Sequence, residues 1–191
     1  MKLSTLFILA TFVAASLCAA DCKNPTLREE LLKMVVDDQK ARANLSPVLS
    51  DAQIAEMNRV DALHAARVRQ IVKEFGWPGQ SLVGDDGAHG VWLLVQHFEI
   101  VDQDEYLPLM AKAVSAGEAD AKNYAYLLDR VRLRHGQSQL YGTQYHISKS
   151  GEWVREPIED SEHLDDRRKK IGLLPLAEFE KTIPNAKIRA N

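Results

Sequence analysis

Two predicted helices carry ionisable side chains on the stripe that apolar residues would normally occupy. In the first helix, Asp38 and Arg42 continue the apolar stripe, and their spacing of four residues allows an ion pair. In the second, Asp61 and His64 interrupt the apolar stripe in the same way. A buried charge without a partner is strongly destabilising, so we expect these side chains to be paired, to be hydrogen-bonded or to line a wet cleft. A structural network of ion pairs and a ligand-lining role both fit this pattern.

A third predicted helix is apolar almost all round and ends in the pair Gln96-His97. A helix without a polar face is buried, so His97 is expected to be neutral and hydrogen-bonded. An imidazole near buried carboxylates can also carry protons in acid–base catalysis. His97 is therefore the candidate catalytic residue, and an ordinary buried histidine is the alternative.

The sequence lacks the spacings of common metal and phosphate sites. No two histidines lie three or four residues apart, and only Cys18 and Cys22 could supply thiolates. The glycines of Gly84-Asp85-Asp86-Gly87 are not followed by the Lys-Ser/Thr pair of a P-loop. We therefore predict no metal site and no cofactor.

The overall charge is close to balanced. The chain has 24 lysines and arginines against 27 aspartates and glutamates, a formal net charge of −3. This balance gives no indication of nucleic-acid binding or of affinity for anionic membranes. The hydrophobic fraction of 46% is typical of a globular core.

Residues 1–20 are typical of a secretory signal peptide. Lys2 precedes a run of small and apolar residues that ends in Cys18-Ala19-Ala20, which favours cleavage after Ala20. This run is too short for a comfortable membrane span, and no later apolar run is long enough for one. We therefore expect an exported protein, periplasmic or secreted, with no membrane attachment after cleavage. Cys22 would then be a lone thiol; a lipid anchor on either cysteine is the alternative, although neither follows a small residue.

Periodicity and capping motifs predict a mainly α fold, a compact helical domain of about six to seven helices with one β-hairpin packed on it. Capping boxes at Thr26–Glu29 and Ser50–Gln53 mark the first two helix starts. From Gln139 alternating residues predict the hairpin, over 139–158, and the tail from Ile183 is expected to be frayed. One domain is predicted over residues 21–191. The predicted helices span residues 27–43, 51–75, 86–98, 104–116, 118–135, 161–171 and 175–179.

Several motifs together resemble a bacterial family known only as domain of unknown function 6624. The resemblance covers roughly residues 26–180 and brings no established activity with it. It rests on Leu128-Asp129-Arg130, Gly136-Gln137-Ser138-Gln139-Leu140-Tyr141-Gly142-Thr143-Gln144, Asp165-x-Arg167-Arg168 and Gly172-Leu173. Further matching stretches are Asp38-Gln39-x-x-Arg42, Gly76-Trp77-Pro78, Gly84 and Gln96-His97.

The resemblance implies that one set of polar residues belongs together. If the hairpin packs over the helix ends, this set could converge on one cleft, with His97 as the catalytic group. The ligand-binding candidates are Asp38, Arg42, Asp129, Arg130, Gln139, Thr143, Gln144, Arg167 and Arg168. Paired arginines favour planar anions, so a small anionic molecule or a peptide is the expected ligand. The alternative is that Asp129–Arg130 and Asp165–Arg168 are clamps that hold the hairpin in place.

Three classes of function fit these sequence features. The first is an exported enzyme of hydrolase or transferase type that uses His97 as acid or base. The second is a binding protein that uses the same pocket without chemistry. The third is a structural or interaction module in which the polar residues only specify the fold.

Overall fold

The computed structural model describes residues 22–43, 49–183 and 188–190. The predicted signal peptide, residues 1–20, lies outside the described residues, and so does its cleavage site. The described residues cluster into two compact units, the first ending at Asn123 and the second beginning at Tyr124. The prediction of one domain over residues 21–191 stays a prediction.

The first unit contains four long helices, and side-chain caps mark the starts of the first two. The helices are α1 (Pro25–Ala41), α2 (Asp51–Phe75), α3 (Gln80–Val95) and α4 (Ile100–Ser115). At α2 the predicted capping box is confirmed, because Ser50 accepts a hydrogen bond from the Gln53 amide and the Gln53 side chain accepts one from the Ser50 amide. At α1 the predicted cap on Thr26 is wrong. Asn24 is the cap, because Pro25 already has a helical φ and suits the first helical position.

Helix α3 is the buried centre of the first unit, where it packs against α1 and α2. Val83, Val91, Leu94 and Val95 are each 0% exposed, which confirms the expectation of a buried helix. Its start differs from the predicted residue 86, because a helical turn precedes a kink at Gly84. The φ of +73° at Gly84 lies in the left-handed region that favours glycine.

The second unit begins within α5 (Ala121–Arg134) and continues through strands and short helices. After β1 (Tyr145–Ile147) and β2 (Trp153–Arg155) come a 3₁₀ turn, α6 (Leu164–Lys170), α7 (Leu176–Lys181) and β3 (Ile188–Ala190). The hairpin pairs Tyr145 with Arg155 and Ile147 with Trp153, antiparallel. β3 then adds to β2 in parallel.

The hairpin prediction is confirmed, but its paired strands are shorter than the predicted segments. Residues 139–144 are not a strand, because the amides of Leu140, Tyr141 and Thr143 donate to the Asp129 carboxylate instead of to a neighbouring strand. The expectation of a frayed tail is wrong for Ile188–Ala190, which forms β3.

Within the described residues, seven α-helices and a three-stranded sheet confirm the predicted mainly α class. The helices in this part of the chain are too short or too polar to cross a membrane.

Candidate active site

Asp38 and Arg42 form the predicted ion pair on α1. Arg42 Nη1 donates to Asp38 Oδ1 at 2.7 Å, as the four-residue spacing allows. The Asp38 side chain is 1% exposed, whereas that of Arg42 is 15% exposed. The pair therefore joins a fully buried carboxylate to a guanidinium that reaches the surface.

Arg42 also links α1 to α2. Its second terminal nitrogen, Nη2, donates to Asp61 Oδ1 at 2.6 Å, and the Asp61 side chain is 20% exposed. One guanidinium thus bridges two carboxylates from different helices. The sequence predicted that Asp61 lies on the apolar stripe of its helix, but not that it shares Arg42 with Asp38.

His97 completes this group from the turn that follows α3. Its Nε2 lies 3.7 Å from Asp38 Oδ2, and its side chain is 10% exposed. The same carboxylate oxygen accepts a hydrogen bond from Gln39 Nε2 at 2.8 Å. We call Asp38, Arg42, Asp61 and His97 the acid–base cluster.

A buried glutamine shapes the turn that carries His97. Gln103 is 4% exposed, and its Nε2 donates to the carbonyl oxygens of Val95, Gln96 and Phe98 at 3.0–3.3 Å. The last carbonyls of a helix have no partner within the helix, so this amide satisfies groups that would otherwise be buried without one. Gln103 therefore fixes the backbone on both sides of His97. A single glutamine has no distinctive spacing, so the sequence did not predict this role.

Burial changes the acidity of the cluster. It raises the pKa of Asp38 from 3.8 to about 6, against the opposing effects of Arg42 and Gln39. Burial also raises the pKa of Asp61, although Arg42 opposes that shift, and it lowers the pKa of His64. The cluster thus holds a carboxyl group that titrates close to neutral pH.

A second set of buried polar groups surrounds Asp129 in the other compact unit. Asp129 is 0% exposed, and its carboxylate accepts from the amides of Leu140, Tyr141 and Thr143 and from the Thr143 hydroxyl. Burial raises the pKa of Asp129, and these hydrogen bonds oppose the shift. The carboxylate thereby anchors the loop before β1.

Two glutamines extend this anchor to the hairpin. Gln139 is 0% exposed; its amide donates to the carbonyls of Gln144 and Glu156, and its oxygen accepts from the Gln144 amide. The Gln144 side chain donates to Thr143 Oγ1 at 3.0 Å and to the Tyr126 carbonyl at 3.4 Å. These amides therefore bind the backbone of the loop and the hairpin.

The two arginines of α6 also bind carbonyl oxygens. Arg168 is 1% exposed and donates to the carbonyls of Tyr141 and Leu174, with its guanidinium over the Phe179 ring. Arg167 donates to the Leu140 carbonyl at 3.0 Å, and also to Glu159 and Asp160. We call Asp129, Gln139, Thr143, Gln144, Arg167 and Arg168 the loop anchor.

A comparison with family models decides the family. The model of the family of unknown function DUF6624 matches residues 25–188. The chain belongs to this family. No curated protein and no solved structure matches the chain.

In this DUF6624 chain the candidate residues fall into two groups. Asp38, Arg42 and His97 meet in the first compact unit, and six of the other seven candidates form the loop anchor of the second. Arg130 also lies in the second unit, where burial and the nearby Arg134 lower its pKa to about 10. The ligand-binding roles of these residues stay predictions.

Metal ligation is not favoured by the described part of the DUF6624 chain. Its histidine, cysteine, aspartate and glutamate side chains include no group of three or more that could hold a metal ion. Cys22 is a free thiol. The acid–base cluster is the candidate active site, because its ionisable side chains lie close together and those of Arg42, Asp61 and His97 are partly exposed.

Proposed function

We propose that the acid–base cluster is the catalytic centre of an enzyme of hydrolase or transferase type, with His97 as general acid and base. One observation carries this proposal: the Nε2 atom of a partly exposed imidazole lies 3.7 Å from the carboxylate of fully buried Asp38. Such distances often shorten when substrate binds. A buried carboxylate beside an imidazole orients the ring and stabilises its protonated form.

The residues of the cluster have separate roles. His97 touches the substrate, because it is exposed where Asp38 is not, and it exchanges a proton with the reacting group. Asp38 stabilises the imidazolium formed when His97 takes up that proton. Arg42 and Gln39 hold the two oxygens of Asp38, so that Oδ2 stays directed to His97. Asp61 holds Arg42 in place from α2.

The loop anchor has a structural role in this proposal. Asp129, Gln139 and Arg168 direct their polar atoms mainly to backbone amides and carbonyls, and each is at most 1% exposed. A ligand would have to displace these hydrogen bonds, which is costly for buried groups. The contacts favour the interpretation of these residues as clamps on the hairpin.

Export is the cellular part of the proposal. Residues 1–20 have the composition of a signal peptide, with small residues before the expected cut. Intact-mass analysis of the exported protein should give a chain that begins at Asp21 with one unmodified thiol at Cys22. A mass that retains Met1–Ala20, or one increased by a diacylglyceryl group, would contradict this.

The catalytic proposal is tested with a panel of chromogenic esters, phosphoesters, glycosides and amides. Wild type should turn over at least one class, and His97→Gln should lower kcat/KM by about 100-fold or more, the usual size of acid–base catalysis. His163→Gln is the control, because the His163 side chain is 62% exposed and pairs with Asp160 outside the cluster.

Two results would overturn the catalytic proposal. If His97→Gln retains the turnover of wild type, His97 is not the acid–base group. If no member of the panel is turned over while a ligand from it binds and protects against unfolding, the alternative of a binding protein takes its place.

A further inference from the structure

The acid–base cluster has a net negative charge. Both terminal nitrogens of Arg42 are engaged, one with Asp38 and one with Asp61. With a neutral imidazole, one guanidinium faces two carboxylates, so the cluster carries a formal charge of −1 when both are ionised. An incoming anion would add to this charge, whereas a cation would balance it.

Neighbouring carboxylates add to this negative field. Burial is the main cause of the raised pKa of Asp61, and the charge of Glu99 adds to it. Burial lowers the pKa of His64, and the charge of Asp37 opposes that shift. Both Glu99 and Asp37 are exposed, so their charges also act on the solvent around the cluster. Surface charges of one sign attract ligands of the opposite sign.

His64 provides an independent sign of a ligand. It is 8% exposed, and its Nδ1 is a buried polar atom with no hydrogen-bond partner among the described residues. It follows Asp61 by three residues on α2, so the two side chains share one face of the helix. Buried polar atoms are nearly always hydrogen-bonded in folded proteins, so the Nδ1 atom of His64 can take a partner that a ligand beside Asp61 would supply.

We propose that the acid–base cluster takes a substrate with a positively charged nitrogen group, an ammonium or a guanidinium, which Asp61 binds beside His64. This inference rests on the proposed function, because it names the substrate class of the same site. The N–H groups of such a cation can donate to the Asp61 carboxylate, and its charge balances the cluster. An anionic ligand would instead add to the negative charge of the cluster.

The test uses four matched small probes on the whole mature protein: butylammonium, butylguanidinium, butyrate and the neutral butanamide. The His97 ring and the Asp61 carboxyl carbon are followed by NMR at constant pH while each probe is added. The two cations should shift both signals in a saturable manner, and raising the salt from about 0.01 to 0.15 M should weaken their binding. Which cation binds more tightly distinguishes an ammonium substrate from a guanidinium substrate.

Two variants locate the binding. Asp61→Asn should weaken the binding of the cations by at least about tenfold, the usual effect of losing a hydrogen bond to a charged group. Glu56→Gln, on the same helix, should leave it unchanged, because Glu56 is exposed and pairs with Arg59. If Asp61→Asn does not fold, Glu99→Gln replaces it, and the expected result is a smaller, salt-dependent loss of affinity.

The inference is overturned if butyrate shifts these signals and the cations do not, if butanamide acts as strongly as the cations, or if no probe binds. Its failure can be told apart from that of the catalytic proposal. If cation binding depends on Asp61 but turnover is unchanged in His97→Gln, the cationic ligand is supported and the catalytic proposal is rejected. If turnover depends on His97 but is inhibited by butyrate rather than by the cations, the catalytic proposal is supported and the cationic ligand is rejected.

Discussion

Two buried aspartates have opposite kinds of partners. Asp129 is 0% exposed, and most of its hydrogen bonds come from backbone amides of one loop. Asp38 is 1% exposed, and its partners are the side chains of Arg42, Gln39 and His97. The first arrangement determines where a loop lies, while the second places ionisable groups within reach of one another and of solvent.

Burial alone therefore does not mark an active site. Burial raises the pKa of both Asp129 and Asp38, so the direction of the shift does not separate them. What separates them is whether their partners can act as an acid or a base. A backbone amide does not do so near neutral pH, whereas an imidazole such as that of His97 does.

The largest expected effect is on the loop anchor. Asp129→Ala should lower the free energy of unfolding by at least about 4 kcal/mol, because three amides and the buried Thr143 hydroxyl lose their acceptor. Denaturant melts measure the loss. Asp166→Ala is the control, because Asp166 is exposed on α6 and should change little. A loss under about 1 kcal/mol for Asp129→Ala would mean that the loop does not depend on this carboxylate.

The next largest effect is expected at Arg42, where the contributions of its two carboxylate partners to stability can be distinguished. Arg42→Met should cost about 3 kcal/mol, because it leaves the buried Asp38 without its cation. Adding Asp38→Leu should recover only part of the loss, since Asp61 still lacks its partner. Melts of the single and double variants give the coupling energy, with Arg59→Met on the exposed pair as a near-neutral control. Full recovery in the double variant would show that the Arg42–Asp61 ion pair contributes nothing to stability.

A smaller effect is expected at Arg168. Arg168→Met should cost about 2 kcal/mol, because the carbonyls of Tyr141 and Leu174 lose a charged donor. Arg168→Lys should recover less than half of this, since a single ammonium cannot replace the planar fork of the guanidinium. Lys169→Met, at an exposed position on the same helix, is the matched control. Equal stability of the lysine variant and wild type would contradict a clamp that depends on guanidinium geometry.

The smallest effect is a dependence of stability on pH. The pKa of Asp38 is raised in the folded protein from 3.8 to about 6, so the folded state binds the extra proton in this window. The contribution of Asp38 therefore becomes less favourable as the pH rises from 3.8 to about 6. Relative to Asp38→Asn, wild type should lose on the order of 1 kcal/mol of unfolding free energy across this range. Asp85→Asn, at an exposed site, is the control. A difference of opposite sign for Asp38→Asn would mean that ion pairing outweighs burial.

Much of the fold could be predicted from local patterns. The capping box at Ser50 and the apolar period gave the bounds of α2, and the buried character of α3 followed from its lack of a polar face. Contacts between distant parts of the chain left no such local pattern in the sequence. β3 pairs with β2 in parallel across a distant part of the chain, so nothing near Ile188 predicted it.

The candidate site was predicted only where its contacts are local in sequence. The spacing of Asp38 and Arg42 predicted their pairing, because both lie on one helix. The bridge to Asp61 and the turn made by Gln103 depend on how separate helices pack, which periodicity does not determine. Residues 139–144 alternate like a strand, yet the distant Asp129 carboxylate takes their amides.

The most direct test of the acid–base cluster is an NMR titration of the Asp38 carboxyl carbon, with the His97 ring observed in the same samples. The account predicts a midpoint for Asp38 at about 6, with the His97 ring signals responding over the same range because the two groups lie 3.7 Å apart. His97→Gln should shift that midpoint. A midpoint below 4 that is unaffected by His97→Gln would identify Asp38 as an ordinary ion-pair partner of Arg42 and contradict the account.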